Sequence, residues 1–293
     1  MIKSFLNYLQ FEKRLSPNTL EAYQNDLCQF SDFLQKTFPD ESIEKASYSI
    51  IRAWIVDLVD HEVDPRSINR KMACLRSFFK FHMKKEIISV NPMLKIVALK
   101  SKKKLPAFVK EGDIVNMLDK VIFEDTLEGW RDKLILEVFY ATGIRLSELI
   151  HLKENQIDLQ NRTIKVLGKR NKERVIPFAL SIVPLIESYR TIRDKETVKL
   201  NHGFLFVTNN GKPCYPMMVY RIVNKYISQN TTSEKTSPHV LRHTYATHLL
   251  NKGAEINAVK DLLGHSSLAA TQVYTHNSME KLKKVFDQAH PKA

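Results

Sequence analysis

Side chains that bind or transfer charge at a phosphate recur in four short segments of the second half of the chain. In the first, residues 141–149, Gly143 is expected to end a helix, Arg145 to open the next one and Glu148 to follow one turn later. The guanidinium adds planar donors to backbone amides that favour anions at a helix N-terminus. The segment indicates an anion site, although an ordinary Arg–Glu pair on a helix surface gives the same spacing.

The second segment is the turn of a predicted hairpin. Residues 162–167 and 173–177 are β-rich, and GKRNK at 168–172 separates them. Cations crowded at a hairpin tip repel one another unless an anion approaches. Lys169 is therefore a candidate to reach a minor groove and donate a proton to a leaving oxygen, with a solvated turn as the alternative.

The third segment begins at Ser237-Pro238, which predicts a helix start and places His239, Arg242 and His243 within one turn. His239 and Arg242 are three positions apart and so are expected to share a face. Histidines four apart also occur in zinc helices of the HExxH type. Here no glutamate follows His239, and Arg242 would repel a cation, so a metal site is disfavoured.

The fourth segment carries a histidine and a tyrosine. Leu263-Gly264 is typical of a helix C-terminus with glycine in the left-handed conformation, and His265 follows it directly. Tyr274 lies nine positions after His265 among polar residues. Most of the ten tyrosines are expected to be core or surface residues, and this placement distinguishes Tyr274 from them.

Composition limits the class of protein that holds these segments. The chain has 293 residues, net charge +13 and an estimated pI of about 9.5, with the excess divided almost equally between residues 1–104 and the rest. Two basic halves suit a protein that grips a polyanion from both sides, although a solvated basic surface has the same composition. Three scattered cysteines and the lack of a long apolar run predict a cytosolic protein without disulfides or a membrane span.

The elements that position the segments begin with a helical first hundred residues. Ser16-Pro17 and Asp64-Pro65 are N-cap signals, and the helix after Pro65 has one apolar face. Its other faces are cationic and suit a DNA groove, with a plain solvated face as the alternative. A lysine run closed by proline predicts an interdomain linker at 97–107. The tentative DNA-binding residues of both stretches are Arg66, Arg70, Lys71, Arg76, Lys102 and Lys103.

Together these segments resemble the tyrosine recombinase (phage integrase) family, and the match covers nearly the whole chain. It lies in ATGIRLSEL, GKRNKER, SPHVLRHTYATHLL, LLGHSS and VYTH, in order and with fitting spacing, and in SPNTLEAYQNDL near the start. The final HPKA resembles the ending of the bacterial XerC and XerD group that resolves chromosome dimers, XerD especially. Arg170 departs from the pattern, since relatives often have glycine there, which affects turn flexibility rather than chemistry.

The resemblance implies a mainly α fold that forms a C-shaped DNA clamp. Its parts are a four-helix, SAM-like core-binding domain at 1–96, the linker at 97–107 and a catalytic domain at 108–293. The catalytic domain is expected to be mixed α/β, with a small antiparallel three-stranded sheet. Residues 277–293 are expected to form a C-terminal helix that docks on a neighbouring subunit, with packing on its own domain as the alternative.

The resemblance also implies the role of each site residue. Tyr274 is the nucleophile that forms a 3′-phosphotyrosine link, and Arg145 and Arg242 clamp the non-bridging phosphate oxygens. Lys169 is the general acid, His239 the general base, His265 a hydrogen-bond donor to the phosphate and Glu148 a supporting residue. The covalent link conserves the energy of the cut strand, so no cofactor, metal or nucleotide is expected.

The implied partners are double-stranded DNA with a specific recombination site and a homo- or hetero-tetramer on that DNA. A second Xer recombinase and a DNA translocase of the FtsK type are expected to take part in resolving chromosome or plasmid dimers at cell division. Two other hypotheses stay open. One is a mobile-element integrase with the same chemistry, and the other is a DNA-binding protein without catalysis.

Overall fold

The computed structural model describes residues 1–101, 107–168, 173–197, 202–264 and 285–292. The chain divides into two compact units, an N-terminal unit at Met1–Lys104 and a C-terminal unit at Leu105–Ala293. Both are predominantly helical, and the C-terminal unit contains a three-stranded sheet, which confirms the predicted mainly α fold. Across the described ranges, no helix is both long and apolar enough to cross a membrane.

The described residues of the N-terminal unit form four helices and one π-helical turn. They are α1 (Ile2–Asn7), the π turn (Tyr8–Glu12), α2 (Pro17–Thr37), α3 (Tyr48–Asp60) and α4 (Pro65–Lys84). Both predicted cap signals are confirmed. The Ser16 hydroxyl accepts a hydrogen bond from the backbone N–H of Thr19, and the Asp64 carboxylate accepts one from that of Arg66.

Aromatic side chains dominate the core of this unit. Phe30 of α2 packs on Trp54 of α3 with ring centroids 4.8 Å apart, and Phe5 of α1 meets Phe78 of α4 edge-on at 5.4 Å. All four rings are buried. Because each helix contributes one apolar face, the helical spacing in the sequence is enough to define this core.

The C-terminal unit starts with helices, passes through the sheet and returns to helices. Its elements are α5 (Glu111–Lys120), α6 (Leu127–Thr142), α7 (Leu146–Ile150), a 3-10 turn (Glu154–Gln156), β1 (Ile157–Asp158), β2 (Thr163–Leu167), β3 (Glu173–Pro177), α8 (Ile182–Glu196), α9 (Pro216–Asn230), α10 (Pro238–Asn251), α11 (Ile256–Leu263) and a helical segment at 285–289. Helix α6 is buried on nearly all sides, as expected for a central helix of a larger core.

The sheet has the order β1-β2-β3, with both pairs antiparallel. Ile164 of β2 lies opposite Ile176 of β3, and both are buried. The predicted hairpin is thereby confirmed for its two strands. Its turn, residues 169–172 with the candidate Lys169, lies outside the described residues.

The described part of the C-terminal segment packs on its own unit. Phe286 is fully buried, and Nε2 of His290 lies 3.1 Å from the carbonyl oxygen of Tyr140. Lys292 donates to the carboxylates of Glu137 and Asp119. In this single chain the described residues 285–292 make their apolar and polar contacts within their own unit, and docking of residues 277–293 on a neighbouring subunit stays a prediction. Residues 277–284 lie outside the described ranges.

Candidate active site

The C-terminal end of α11 is the point at which two of the predicted phosphate-binding residues, Arg145 and Arg242, meet. Gly264 ends this helix in the left-handed conformation, with φ of 62°, as the sequence predicted. The last carbonyls of a helix lack intrahelical partners and carry the negative end of its dipole. At α11 the carbonyl oxygens of Leu262, Leu263 and Gly264 each accept a hydrogen bond from an arginine.

Arg145 reaches this end from the start of α7. Its Nη2 donates to the carbonyl oxygen of Gly264 at 3.0 Å, and its Nη1 donates to Glu148 Oε1 at 2.8 Å. The backbone N–H of Arg145 donates to Glu148 Oε2 at 2.8 Å. The carboxylate therefore caps α7 and binds both the backbone and the side chain of Arg145. The Arg145 side chain remains 22% exposed, which leaves its outer edge open to a ligand.

Gly143 sets the direction from which Arg145 arrives. It ends α6 with φ of 58°, a conformation that glycine adopts without a steric penalty. A Cβ atom at this position would lie 2.5 Å from Cδ1 of Tyr245 and 2.9 Å from Cδ2 of Leu263. The glycine is therefore required both by the backbone turn and by the close approach of α10 and α11.

Arg242 reaches the same place from α10 and is buried. Its Nη1 donates to the carbonyl oxygen of Gly143 and its Nη2 to that of Leu263, each at 2.5 Å. Burial, followed by the positive charges of Arg145 and Arg174, lowers the pKa of Arg242 to about 9. Arg242 is thus a buried cation beside two others, and a bound anion would offset part of their mutual repulsion.

Arg174 of β3 is a member of this group that the sequence analysis did not single out. Its Nη1 and Nη2 donate to the two carboxylate oxygens of Glu148 at 2.7 and 2.8 Å, and its Nε donates to the carbonyl oxygen of Leu262 at 2.9 Å. A signal was present in the sequence. The alternation of β3 places Arg174 on the same face as the buried Ile176, where a charge requires a partner.

Glu148 is ionised by these contacts. Burial alone would raise the pKa of its carboxyl, but the hydrogen bonds and charge of Arg174 and the bonds from Arg145 lower it to about 2. We refer to Arg145, Arg174, Arg242 and Glu148 as the arginine cluster. Three guanidiniums around one carboxylate leave an excess of two positive charges, which can bind a phosphate group and stabilise charge that develops on its oxygens.

The other predicted site residues are only partly placed. His239 is the second residue of α10 and is exposed, whereas Arg242 one turn later is buried. His265 and Tyr274, like Lys169, lie outside the described residues, as do Lys102 and Lys103. The structure therefore brings together Arg145, Glu148 and Arg242 from the predicted set.

The cationic helix α4 also differs in part from expectation. Arg66, Arg70 and Arg76 are exposed, as groove-facing residues must be. Lys71 is buried instead, with its ammonium 3.0 Å from Asp26 Oδ1. This corrects the expectation for Lys71 as a DNA contact, because its side chain is buried inside the N-terminal unit, whereas Arg70, which binds the same Asp26, stays half exposed.

Comparison with known sequences finds a family match in each of the two units. The family described as "Phage integrase family" matches residues 109–281, and "Phage integrase, N-terminal SAM-like domain" matches residues 2–86. A "Tyrosine recombinase XerC" of Staphylococcus haemolyticus is 38% identical over 291 residues, which cover 99% of this chain and 96% of the relative. One of Chlorobaculum parvum is 34% identical over 317 residues, covering 100% and 94%.

Solved structures show similarity of fold. The XerH site-specific recombinase bound to palindromic difH substrate, in a post-cleavage complex, superposes with a TM-score of 0.73 at 22% identity. That match covers 97% of this chain and 83% of the other. The Tn1549 transposon integrase in complex with transposon right end DNA gives 0.72 at 18% identity, covering 97% and 98%. At these identities the comparison supports the architecture of the two units.

Proposed function

The chain belongs to the phage integrase family of site-specific tyrosine recombinases, and we propose that it cuts and rejoins DNA through a bond between Tyr274 and a 3′-phosphate. The observation that carries this proposal is the arginine cluster. Arg145 and Arg242 come from helices almost a hundred positions apart and meet at the end of α11. His265 follows that end directly in the chain, and Tyr274 comes nine positions later.

In the proposed reaction the Tyr274 oxygen attacks the phosphorus while the bond to the 5′-oxygen breaks. The phenol gives its proton to His239, and the departing 5′-oxygen takes a proton from Lys169. Arg145, Arg242 and His265 hold the non-bridging oxygens, where each well-placed donor contributes about 3 kcal/mol at the transition state. Rejoining runs the same steps in reverse, so the proposal includes no metal, nucleotide or other cofactor.

Binding of duplex DNA is proposed to involve both units. The N-terminal unit would act as the core-binding domain, with Arg66, Arg70 and Arg76 on the exposed faces of α4, and the C-terminal unit would carry out catalysis. The lysines at 102 and 103 would add phosphate contacts. Such contacts release counterions and make affinity depend strongly on salt.

The proposed biological role is the resolution of chromosome or plasmid dimers at cell division, in the cytoplasm where that DNA lies. Support comes from relatives named XerC that align over nearly the entire chain. These names favour a XerC-like over a XerD-like assignment. Exchange between two duplexes needs four active sites, so we propose a tetramer on a specific site, formed with a second Xer recombinase and activated by a translocase of the FtsK type.

The test of the chemistry is a suicide duplex, nicked so that cleavage cannot be reversed, incubated with protein and run on a denaturing gel. Wild type should form a covalent adduct in excess EDTA, and Tyr274→Phe should bind the duplex without forming it. An adduct that survives in Tyr274→Phe would refute the nucleophile. Loss of wild-type cleavage on chelation would indicate a metal nuclease instead.

A further inference from the structure

We propose that Arg174 is a positioning residue for strand cleavage, which fixes the hairpin, Glu148 and the end of α11 relative to one another. The inference rests on the proposed function, because it assigns Arg174 a part in preparing that same site. Arg174 does not itself have to touch the DNA. Its side chain is 3% exposed, and its described donors are directed to protein oxygens.

The geometry connects three separate segments through one side chain. From β3, Arg174 binds both carboxylate oxygens of Glu148 on α7 and the carbonyl oxygen of Leu262 on α11. Paired parallel hydrogen bonds of a guanidinium to a carboxylate fix orientation as well as distance. Glu148 in turn holds Arg145 through its backbone N–H and its guanidinium. A shift of Arg174 would therefore reach Arg145 through a single carboxylate.

The contact with α11 is close as well as polar. A Cβ atom built on Gly264 would lie 2.9 Å from Cδ of Arg174, with Nη1 and Nε at 3.2 and 3.3 Å. The aliphatic stem of Arg174 thus packs directly against the residue that precedes His265. Glycine at this position satisfies both the left-handed turn, with φ of 62°, and the space that the arginine occupies.

Chain connectivity gives these contacts their functional meaning. Lys169, the proposed general acid, is four residues before Glu173, where β3 begins, and His265 follows Gly264. Arg145 is bound to the same carboxylate as Arg174. The side chain of Arg174 is therefore a mechanical link between the segments that carry the acid, one phosphate clamp and the phosphate-binding histidine. Displacements of about 1 Å in such a constellation can cost about 100-fold in rate.

Arg131 offers a matched control for a purely structural arginine. It is also buried in the C-terminal unit, and it binds the Asp132 carboxylate, the Asn209 amide oxygen and the carbonyl oxygen of Val207. Like Arg174, it links an acidic partner to backbone of another segment. Its partners, however, do not belong to the arginine cluster. Loss of either arginine should affect folding, but only Arg174 should affect the chemical step specifically.

The experiment compares Arg174→Lys and Arg174→Gln with Arg131→Lys and Arg131→Gln in the full-length protein. Single-turnover adduct formation on the nicked duplex, affinity for that duplex and the melting temperature are measured for each. We expect both Arg174 variants to form adduct 10- to 100-fold more slowly than wild type, with duplex affinity changed less than threefold. The Arg131 variants should stay within about threefold of wild type in rate, even where their melting temperatures fall as far.

A pH profile separates positioning from general loss of structure. Glu148 stays ionised in wild type because its arginine partners lower the pKa of its carboxyl to about 2. In Arg174→Gln that pKa should rise, so the rate should decline with acid at a higher pH than in wild type. In Arg131→Gln the decline of the rate with acid should occur at the same pH as in wild type. Glu148→Gln combined with Arg174→Gln should be no slower than the slower single variant, since both act through one contact.

Each result bears on the inference. Arg174 variants that cleave as fast as wild type, or lose rate only in step with the Arg131 variants, would overturn it. Unfolding of both Arg174 variants while both Arg131 variants fold would assign Arg174 to the fold alone. Failure of wild type to form any adduct would instead overturn the proposed function, so the two failures are distinguishable.

Discussion

In each unit of the molecule, a buried carboxylate lies between two cations of its own chain. In the N-terminal unit, Asp26 of α2 binds Arg70 and Lys71 of α4, which we call the Asp26 cluster. In the C-terminal unit, Glu148 binds Arg145 and Arg174. The two arrangements differ in what surrounds them. The Asp26 cluster ties one helix to another, whereas the arginine cluster includes a third guanidinium and the carbonyl end of α11.

The difference shows how the same kind of ion pair stabilises the fold in one unit and helps to form the candidate active site in the other. One carboxylate between two cations leaves one excess charge at the Asp26 cluster, and half-exposed Arg70 can share it with solvent. The arginine cluster leaves two, and Arg174 and Arg242 are buried. Helix-end carbonyls offset part of that charge but remain neutral groups. A bound phosphate would complete the balance, so the excess predicts where the ligand goes.

The largest effect is expected from breaking the Asp26 cluster. Asp26→Ala leaves the Lys71 ammonium buried without its carboxylate, which should lower the free energy of unfolding by about 3–5 kcal/mol. Asp32→Ala, at an exposed position of the same helix, is the control and should stay within about 0.5 kcal/mol. Denaturant unfolding measures both. A small effect of Asp26→Ala would show that the pairing is dispensable.

Arg242→Gln should break the arginine cluster where the phosphate is proposed to bind. Adduct formation on the nicked duplex should fall about 100- to 1,000-fold, the range measured when one transition-state donor is removed. Arg242→Lys should recover only part of this, since a point charge lacks the planar fork. Single-turnover rates of adduct formation on the nicked duplex are measured for the three proteins. Equal rates for wild type and Arg242→Gln would contradict the role of Arg242 in binding the phosphate.

The dependence of the free energy of unfolding on acidic pH should reveal the contribution of the Glu148 carboxylate. Its folded pKa is about 2, below the ordinary value of 4.5, so its contribution is complete above pH 4.5 and is lost as pH falls toward 2. Integrated over that interval, it is worth about 3 kcal/mol. Glu148→Gln should lack this component. A difference between wild type and Glu148→Gln that does not change over pH 2–4.5 would contradict the assignment.

Gly143→Ala is expected to give the smallest of these effects. The new Cβ would meet Tyr245 and Leu263 at less than 3 Å in a left-handed turn, which should destabilise the C-terminal unit by about 1–3 kcal/mol. Gly112→Ala, where a Cβ meets nothing within 4 Å, is the matched control. Melting temperatures that change equally in the two variants would show that the close approach is relaxed elsewhere.

Local features of the chain were predictable because short-range interactions decide them. Ser16 and Asp64 were expected to cap helices, Gly143 and Gly264 to end them, and residues 162–167 and 173–177 to form paired strands, and all are observed. Each depends on contacts within a few residues, where side-chain chemistry and backbone geometry act directly. Arg145, Glu148 and Arg242 were chosen on the same local grounds and on a family resemblance.

The sequence by itself determined several helix boundaries, the two paired strands and which cations were candidates for phosphate chemistry. Only the tertiary structure decided which of those cations are buried. Lys71 and Arg70 are neighbours in the chain, yet Lys71 is buried on Asp26 while Arg70 remains half exposed. Arg174 acquired its partners 26 and 88 positions away. Burial and pairing depend on which surfaces come together when the chain folds. Because the partners are far apart in sequence, local sequence patterns do not predict them.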